Sequence, residues 1–185
     1  MIKQGDKIVN PRTGQIMIFK TTGKESNGVL LEIESFNPVS NEREPIHIHP
    51  KQESSIEVLS GILHVLVDGK EHILKSNQKI VVSAGIPHCF WNEGLEEAHH
   101  LGTFSPALNI AEFFDSFFAL ARDGKLSKKG IPNMFQTSVM GLAYKDAIRL
   151  TNPPWFLQVL LYRMLAPIGK LFGYSDHYES KKSNS

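Results

Sequence analysis

Short runs of alternating hydrophobic and polar residues, separated by glycine-containing turns, occupy the chain up to about residue 105. The first two clear runs, at 15–20 and 29–36, are joined by a segment that ends in Asn27-Gly28, a dipeptide typical of hairpin turns. Six further runs follow, at 54–59, 62–67, 71–74, 79–82, 88–91 and 97–104. Many short strands at regular spacing predict an all-β sandwich or barrel.

The spacing of apolar residues changes after Ser105-Pro106. From Ile110 they recur every three or four positions, which predicts an amphipathic helix that ends at Gly124. A second helix is predicted over 134–150, and a third begins after Pro153-Pro154 and ends near residue 165, before Pro167. We therefore expect a barrel over 1–105, a helical extension of the same domain over 106–174, and a polar tail over 175–185.

The charge and the cysteine content exclude several classes of protein. Twenty Lys and Arg against 19 Asp and Glu give a net charge of +1, too little to recruit nucleic acid or anionic lipid. The single cysteine, Cys89, excludes an intramolecular disulfide framework and cysteine-based zinc modules. The start of the chain lacks an apolar leader, and two charged residues and a proline interrupt the apolar window 155–172. We expect a cytoplasmic protein with no nucleic-acid partner and no stable membrane insertion.

Histidines and aromatic residues are distributed unevenly along the chain. Seven of the eight histidines lie between residues 47 and 100, whereas 12 of the 17 aromatic residues lie after residue 105. This split predicts metal-binding chemistry in the barrel and apolar packing in the helices, with the phenylalanines between residues 113 and 118 in the core. Because the window 155–172 has only two charged residues, we expect it to pack on the barrel or in a homodimer interface.

Two histidines begin the segment that carries the strongest chemical pattern. His47 and His49 flank one residue, so an extended chain places both imidazoles on one face, where they can share one metal ion. Glu53 and a glycine turn at Gly61 follow. A second pattern has a glycine three residues before His88 and an asparagine, Asn92, four residues after it.

The two patterns, in this order over about residues 40–105, resemble the two motifs of the cupin family. The resemblance implies a mainly β fold, the cupin-type double-stranded β-helix (jelly-roll barrel), here followed by about three C-terminal helices. It also implies a divalent transition metal, iron, manganese, nickel or zinc, held by three histidines and one carboxylate. The matching positions in this chain are His47, His49, His88 and Glu53.

Glu53 departs from that motif by one position. The family's glutamate usually stands seven residues before the glycine turn, and that position is Ser54. If Ile56 and Val58 face the interior, Ser54 faces inward and Glu53 outward. Two interpretations stay open: a local bulge turns Glu53 towards the metal, or three histidines hold the metal and leave the fourth position to water or substrate.

Other residues have two interpretations each. Ser54, His100 and Asn92 are candidates for lining the cavity, His100 because it shares a strand face with Phe104. A buried histidine bonded to the backbone and an asparagine that stabilises a turn are the alternatives. For the three motif histidines the alternative is a metal-free barrel in which they are satisfied polar side chains.

We therefore expect a small metal-binding barrel that acts as an oxygenase or isomerase on a small organic molecule. The alternative is a non-catalytic barrel that binds or senses a small ligand through a degenerate metal site. A metal-independent sugar epimerase of this fold would need an inward-facing acid beside a histidine, and such acids are sparse here.

Overall fold

The computed structural model describes residues 2–40 and 42–180, which form eleven strands and three helices. The strands are β1 Lys7–Val9, β2 Ile16–Thr21, β3 Leu31–Asn37, β4 His47–Ile48, β5 Glu53–Ser60, β6 Ile62–Val67, β7 Lys70–Lys75, β8 Lys79–Val82, β9 His88–Trp91, β10 Ala98–Ser105 and β11 Arg149–Leu150. The helices are α1 Ile110–Arg122, α2 Met134–Ala143 and α3 Trp155–Leu171.

The strands form two antiparallel sheets. One has the order β1-β2-β3-β10-β5-β8, and the other has the order β11-β4-β9-β6-β7. Strands that are consecutive in sequence, such as β4 and β5 or β9 and β10, lie in different sheets, which is the arrangement of a jelly-roll barrel. The predicted mainly β fold class is therefore confirmed.

One end of the barrel is filled by apolar side chains from both sheets. These side chains alternate with outward-facing residues along their strands, so each strand buries one face. The cluster consists of Ile56, Val58, Leu63, Val65, Leu74 and Ala98. This end of the barrel is therefore packed with apolar side chains.

A second apolar cluster joins the first sheet to α1. Phe19 and Leu31 of the sheet are fully buried and belong to one cluster with Ile110 and Phe118 of the helix. The connection between β10 and α1 is held by Gln52, a fully buried side chain whose Nε2 donates hydrogen bonds to the carbonyl oxygens of the Pro106 and Ala107 backbone at 2.8 and 2.9 Å. The helix is thereby fixed against the barrel.

The second predicted helix ends earlier than its sequence pattern indicates. α2 stops at Ala143, and Arg149–Leu150 forms β11, which pairs with β4 in the second sheet. The prediction of a helix to residue 150 is wrong because pairing with a distant strand outweighs local helix propensity there. As a result, the helical extension contributes an edge strand beside His47.

The third helix runs six residues past its predicted end. α3 continues through Pro167 to Leu171, and its buried residues pack on α2. Gly169 lies so close to α2 that an added Cβ would be 3.3 Å from side-chain atoms of Phe135 and Val139. This packing holds the last turn although Pro167 cannot donate its backbone hydrogen bond.

The described part of the polar tail is attached to the helices. The carbonyl oxygen of Ser175 accepts a hydrogen bond from Gln136 at 2.6 Å, and the hydroxyl of Tyr178 donates to Asp123 at 2.6 Å. Residues 181–185 of the predicted tail lie outside the described residues. Among residues 2–40 and 42–180, no helix combines the length and the apolar character needed to cross a bilayer.

Candidate metal centre

Three histidines meet at the open end of the barrel. His47 and His49 come from β4 and the residue after it, and His88 begins the neighbouring strand β9, directly opposite His47. The ring centroids lie 4.5 to 5.2 Å apart, and one ring nitrogen of each histidine lies within 4.8 Å of the others. All three side chains are buried. This group could hold a metal ion.

The backbone around the three rings determines which nitrogen each ring offers. Each Nδ1 lies within hydrogen-bond distance of a main-chain carbonyl oxygen, at 3.0, 2.8 and 2.7 Å from Pro45, Ile86 and Ala147 respectively. A carbonyl oxygen only accepts, so Nδ1 carries the proton and donates it. The lone pair of each neutral imidazole is then on Nε2, the arrangement that metal-ligating histidines commonly have.

Burial keeps these rings neutral. Removal from water lowers the pKa of His49 to about 4, and it lowers the pKa of His47 and of His88 below the ordinary value as well. Histidine binds a metal only in its neutral form, so three ligands are available at neutral pH without the release of protons. The donor set therefore fits a divalent transition metal ion.

Glu53 lies outside this group. Its side chain is exposed, and the pairing of β5 with β10 is regular from Glu57 to Glu53, with no bulge that would turn the carboxylate inward. Ser54 is 7% exposed and lines the cavity beside the histidines. In the described residues, the metal-capable group therefore consists of imidazoles without a carboxylate.

A cavity of ≈ 450 Å³ opens above the three histidines. Pockets of this size accommodate drug-sized ligands. The barrel contributes apolar residues such as Ile33 and Phe104, and α1 contributes Phe113, Phe114 and Phe117. These α1 phenylalanines pack against the core and are only partly buried, so the sequence-based prediction that they belong to the core misses their place in the cavity wall.

The remaining predicted residues divide between the cavity and its support. His100 lines the cavity, is 3% exposed, and has its pKa lowered to about 4 by burial. Asn92 is absent from the cavity wall; its Nδ2 donates to the carbonyl oxygens of Asn37 and Glu96, and its Oδ1 accepts from the backbone of Gly94, each at 2.8 Å. Asn92 thus stabilises the turn after β9.

One supporting group has no counterpart in the sequence motifs. The carbonyl of Ala147, which accepts from His49, belongs to the segment between α2 and β11, 98 residues further along the chain. No side-chain pattern identifies a backbone carbonyl as the partner of a histidine. The helical extension therefore orients one of the three rings, a role that sequence reasoning missed.

Comparison with known proteins agrees with this geometry. A family model described as Cupin domain matches residues 37–104, which include all three histidines. The chain is 29% identical over 147 residues to a probable oxidoreductase, virH, of Hypocrea virens, across 72% of this chain and 65% of that protein. It is 31% identical over 87 residues to the polyketide synthase CurC of Streptomyces cyaneus, across 45% and 56%. The chain thus spans 56% to 65% of the length of these relatives.

The solved structures include a similar fold at low sequence identity. KdgF from Halomonas sp. superposes with a TM-score of 0.50 at 14% identity, over 60% of this chain and 96% of that one. This likeness concerns the fold alone. The jelly-roll strand order and the family match agree with what the two histidine motifs predicted: residues 37–104 match the cupin domain and have its fold.

Proposed function

We propose that the protein binds one divalent transition metal ion (iron, manganese, nickel or zinc) through Nε2 of His47, His49 and His88, and that it acts as an enzyme on a small organic molecule in the cavity. One observation carries the proposal: three buried, neutral imidazoles, each with Nδ1 engaged, converge at the floor of a ≈ 450 Å³ cavity. The name of the relative virH, a probable oxidoreductase, supports an oxidative reaction.

The chain's own residues prepare the site for such a reaction. The three carbonyl acceptors fix the orientation of the rings before any ligand arrives. Little conformational entropy is therefore lost when the rings bind a ligand. The apolar wall formed by Phe104 and the α1 phenylalanines limits the access of water to the floor of the cavity. A bound divalent ion would supply a Lewis acid with free coordination positions on the cavity side.

Metal content tests the proposal directly. Protein purified without chelators is expected to contain about one equivalent of transition metal per chain, because three preorganised imidazoles form a complete set of catalytic-type ligands. Inductively coupled plasma mass spectrometry measures the content. The control is a chelator-treated sample that is incubated with each candidate metal in turn, because its metal content does not depend on which metal the protein met during expression. Less than about a tenth of an equivalent in both samples would contradict the proposal.

The exposed position of Glu53 favours one alternative function, a barrel that binds a small ligand without turning it over. Without a ligand carboxylate, the charge of the ion is less neutralised and the metal is held less firmly. This function predicts little metal together with ligand-dependent melting. The same metal analysis therefore separates the two functions.

We also infer that α3 forms the interface of a homodimer. The face of α3 that packs on α2 carries Gln158, Tyr162, Ala166 and Gly169, whereas the face turned away from the protein is more apolar. This outward face consists of large apolar side chains that are each 40% to 84% exposed: Phe156, Leu157, Leu160, Leu161, Met164, Ile168, Leu171 and the adjoining Phe172. Such an inverted distribution indicates that another surface covers the helix.

The exposed area suits a second copy of the chain. A large apolar side chain presents on the order of 150–200 Å² when free, so these eight present on the order of 800 Å². A single partner contributes about 800 Å² to a standard interface, whereas the largest apolar patch of a monomer is roughly 300–600 Å². A two-fold axis brings the same patch of two copies together. α3 contains no acidic residue, so it carries no negative charge that would call for a basic partner instead of a second copy.

We expect a dimer at about 10 µM by light scattering coupled to size exclusion, and a monomer after the change Leu160→Glu, because a charge in the centre of the patch opposes burial. Ile73→Glu, at a strand residue that is 53% exposed, is the matched control and should stay dimeric. If the unchanged protein is a monomer at this concentration, the dimer proposal is wrong. It is equally wrong if that monomer sediments with phosphatidylcholine–phosphatidylserine vesicles, because the apolar face would then be covered by a membrane.

A further inference from the structure

The charged side chains that line the cavity have partners, lie at its exposed rim or are kept neutral by burial. Arg12 is paired with Glu42 at 2.9 Å, Arg43 lies over the ring of Trp91, and Arg149 lies over the ring of Trp155. Burial raises the pKa of the Glu44 carboxyl to about 8, so this lining group is mostly uncharged at pH 7. The lysines that line the cavity, at positions 128 and 129, are exposed and belong to its rim. Burial of an unpaired charge is costly, so the wall selects against ions.

Aromatic rings continue from the histidines to α1. The ring of Phe104 lies 5.1 Å from that of His49 and 5.7 Å from that of Phe114. Phe113 and Phe117 extend the same surface and are only partly buried although they face the protein. An apolar ligand that covers apolar surface facing an interior space removes this surface from water, and this burial favours binding.

Two polar side chains of the wall lack partners. Nδ1 of His100 and Nε2 of Gln15 are buried and have no hydrogen-bond partner among residues 2–40 and 42–180. The two side chains are 3% and 6% exposed, and both line the cavity. The terminal torsions of both side chains are broad, so a small rotation can present these atoms to a ligand. A ligand carbonyl oxygen could accept from Nε2 of Gln15, and a ligand hydroxyl could pair with Nδ1 of His100 in either tautomer. Either bond would satisfy a buried polar group that otherwise destabilises the protein.

From these three features we infer that the cavity takes an uncharged, largely aromatic organic molecule that carries a carbonyl or hydroxyl oxygen. The aromatic body covers the wall formed by Phe104 and α1, and the oxygen meets the unpartnered group of His100 or Gln15. This assigns a substrate class to the proposed metal site and rests on that proposed function. The wall itself, however, is formed by the chain without a metal.

Three matched probes test this assignment on chelator-treated protein, so that metal coordination does not contribute. 1-Naphthol is uncharged and has a hydroxyl, 1-naphthoate has a negative charge on the same ring system, and naphthalene lacks the oxygen. Isothermal titration calorimetry should show binding of 1-naphthol at least about 10-fold tighter than that of 1-naphthoate, and several-fold tighter than that of naphthalene. Equal or tighter binding of 1-naphthoate, or no binding of 1-naphthol, would overturn the inference.

Paired substitutions place the probe in the cavity. Phe114→Ala and Phe117→Ala should each weaken 1-naphthol binding about 10-fold, because each removes one aromatic contact. Phe156→Ala is the matched control, since Phe156 is 70% exposed on α3, and it should leave the affinity unchanged. A loss of affinity in Phe156→Ala without a loss in the two cavity variants would mean adsorption to the surface of α3 and would contradict the inference.

The outcomes for the metal and for the probe are independent. Binding of 1-naphthol by a protein that takes up no metal would support the ligand class and overturn the proposed enzymatic function. A full equivalent of metal without 1-naphthol binding would leave the metal proposal intact and overturn the ligand class.

Discussion

Replacement of His88 by alanine is expected to lower the affinity of the protein for Zn²⁺ by at least about 100-fold. His88 supplies one of three imidazoles, and no carboxylate in the group could take its place. Groups that merely orient a metal ligand are worth about 10- to 100-fold in affinity, so the loss of a ligand itself should cost more. Competition with a chromophoric chelator measures the affinity.

A second histidine variant and a folding measurement complete this test. His72 lies on an exposed strand position of β7, so His72→Ala should leave the affinity for Zn²⁺ unchanged. Far-ultraviolet circular dichroism establishes that each variant keeps its β structure, and His88→Gln offers a larger polar replacement if the alanine variant does not fold. If His88→Ala or His88→Gln retained the affinity of the unchanged protein within a few-fold, the three-histidine site would be wrong.

The metal-free protein is expected to lose stability as the pH falls from about 6.5 to about 4, and His100 should account for about 3 kcal/mol of that loss. Burial lowers the pKa of His100 from 6.5 in the unfolded chain to about 4 in the folded one. Between these two values the unfolded state binds the proton and the folded state does not, so acidification favours unfolding. The loss is complete only below the folded value.

Urea unfolding at a series of pH values measures this contribution. Between about pH 7 and pH 4, His100→Gln should lose about 3 kcal/mol less unfolding free energy than the unchanged protein. The exposed-site variant His72→Gln is the control and should follow the unchanged protein. Glu44 has the opposite effect on stability: burial raises the pKa of its carboxyl to about 8, so acidification favours the folded state at this residue. The comparison between variants removes this contribution, because Glu44 is present in all of them. Parallel pH curves for His100→Gln and the unchanged protein would contradict the prediction.

Local periodicity predicted most of the barrel. Alternation identified the strands from β5 to β10 to within one residue at each end, because one face of each strand is buried and the pattern is visible in a single segment. It also placed His47 and His49 on one face and Ser54 on the same side as Ile56, where the structure has them. β1, a strand of three residues, was missed because so short a run shows no period.

The helical half was less predictable. The starts of α1 and α2 follow from spacing and that of α3 from Pro153-Pro154, but two of the three ends do not follow from the sequence. α2 ends where the chain turns to pair β11 with β4, and α3 passes Pro167 because α2 packs against its last turns. In both cases contacts between separate elements outweigh local preference.

From the sequence by itself, strand alternation predicted a β-sandwich or barrel, because alternation is a property of short segments. The jelly-roll type and the three inward histidines were what the resemblance of the two motifs to the cupin family implied. Only the tertiary structure decided how the site is completed. It placed the Ala147 carbonyl against His49, left Glu53 outside, and turned the phenylalanines of α1 into a cavity wall. These features depend on residues that are distant in sequence, and their meeting is set by packing that no local pattern encodes.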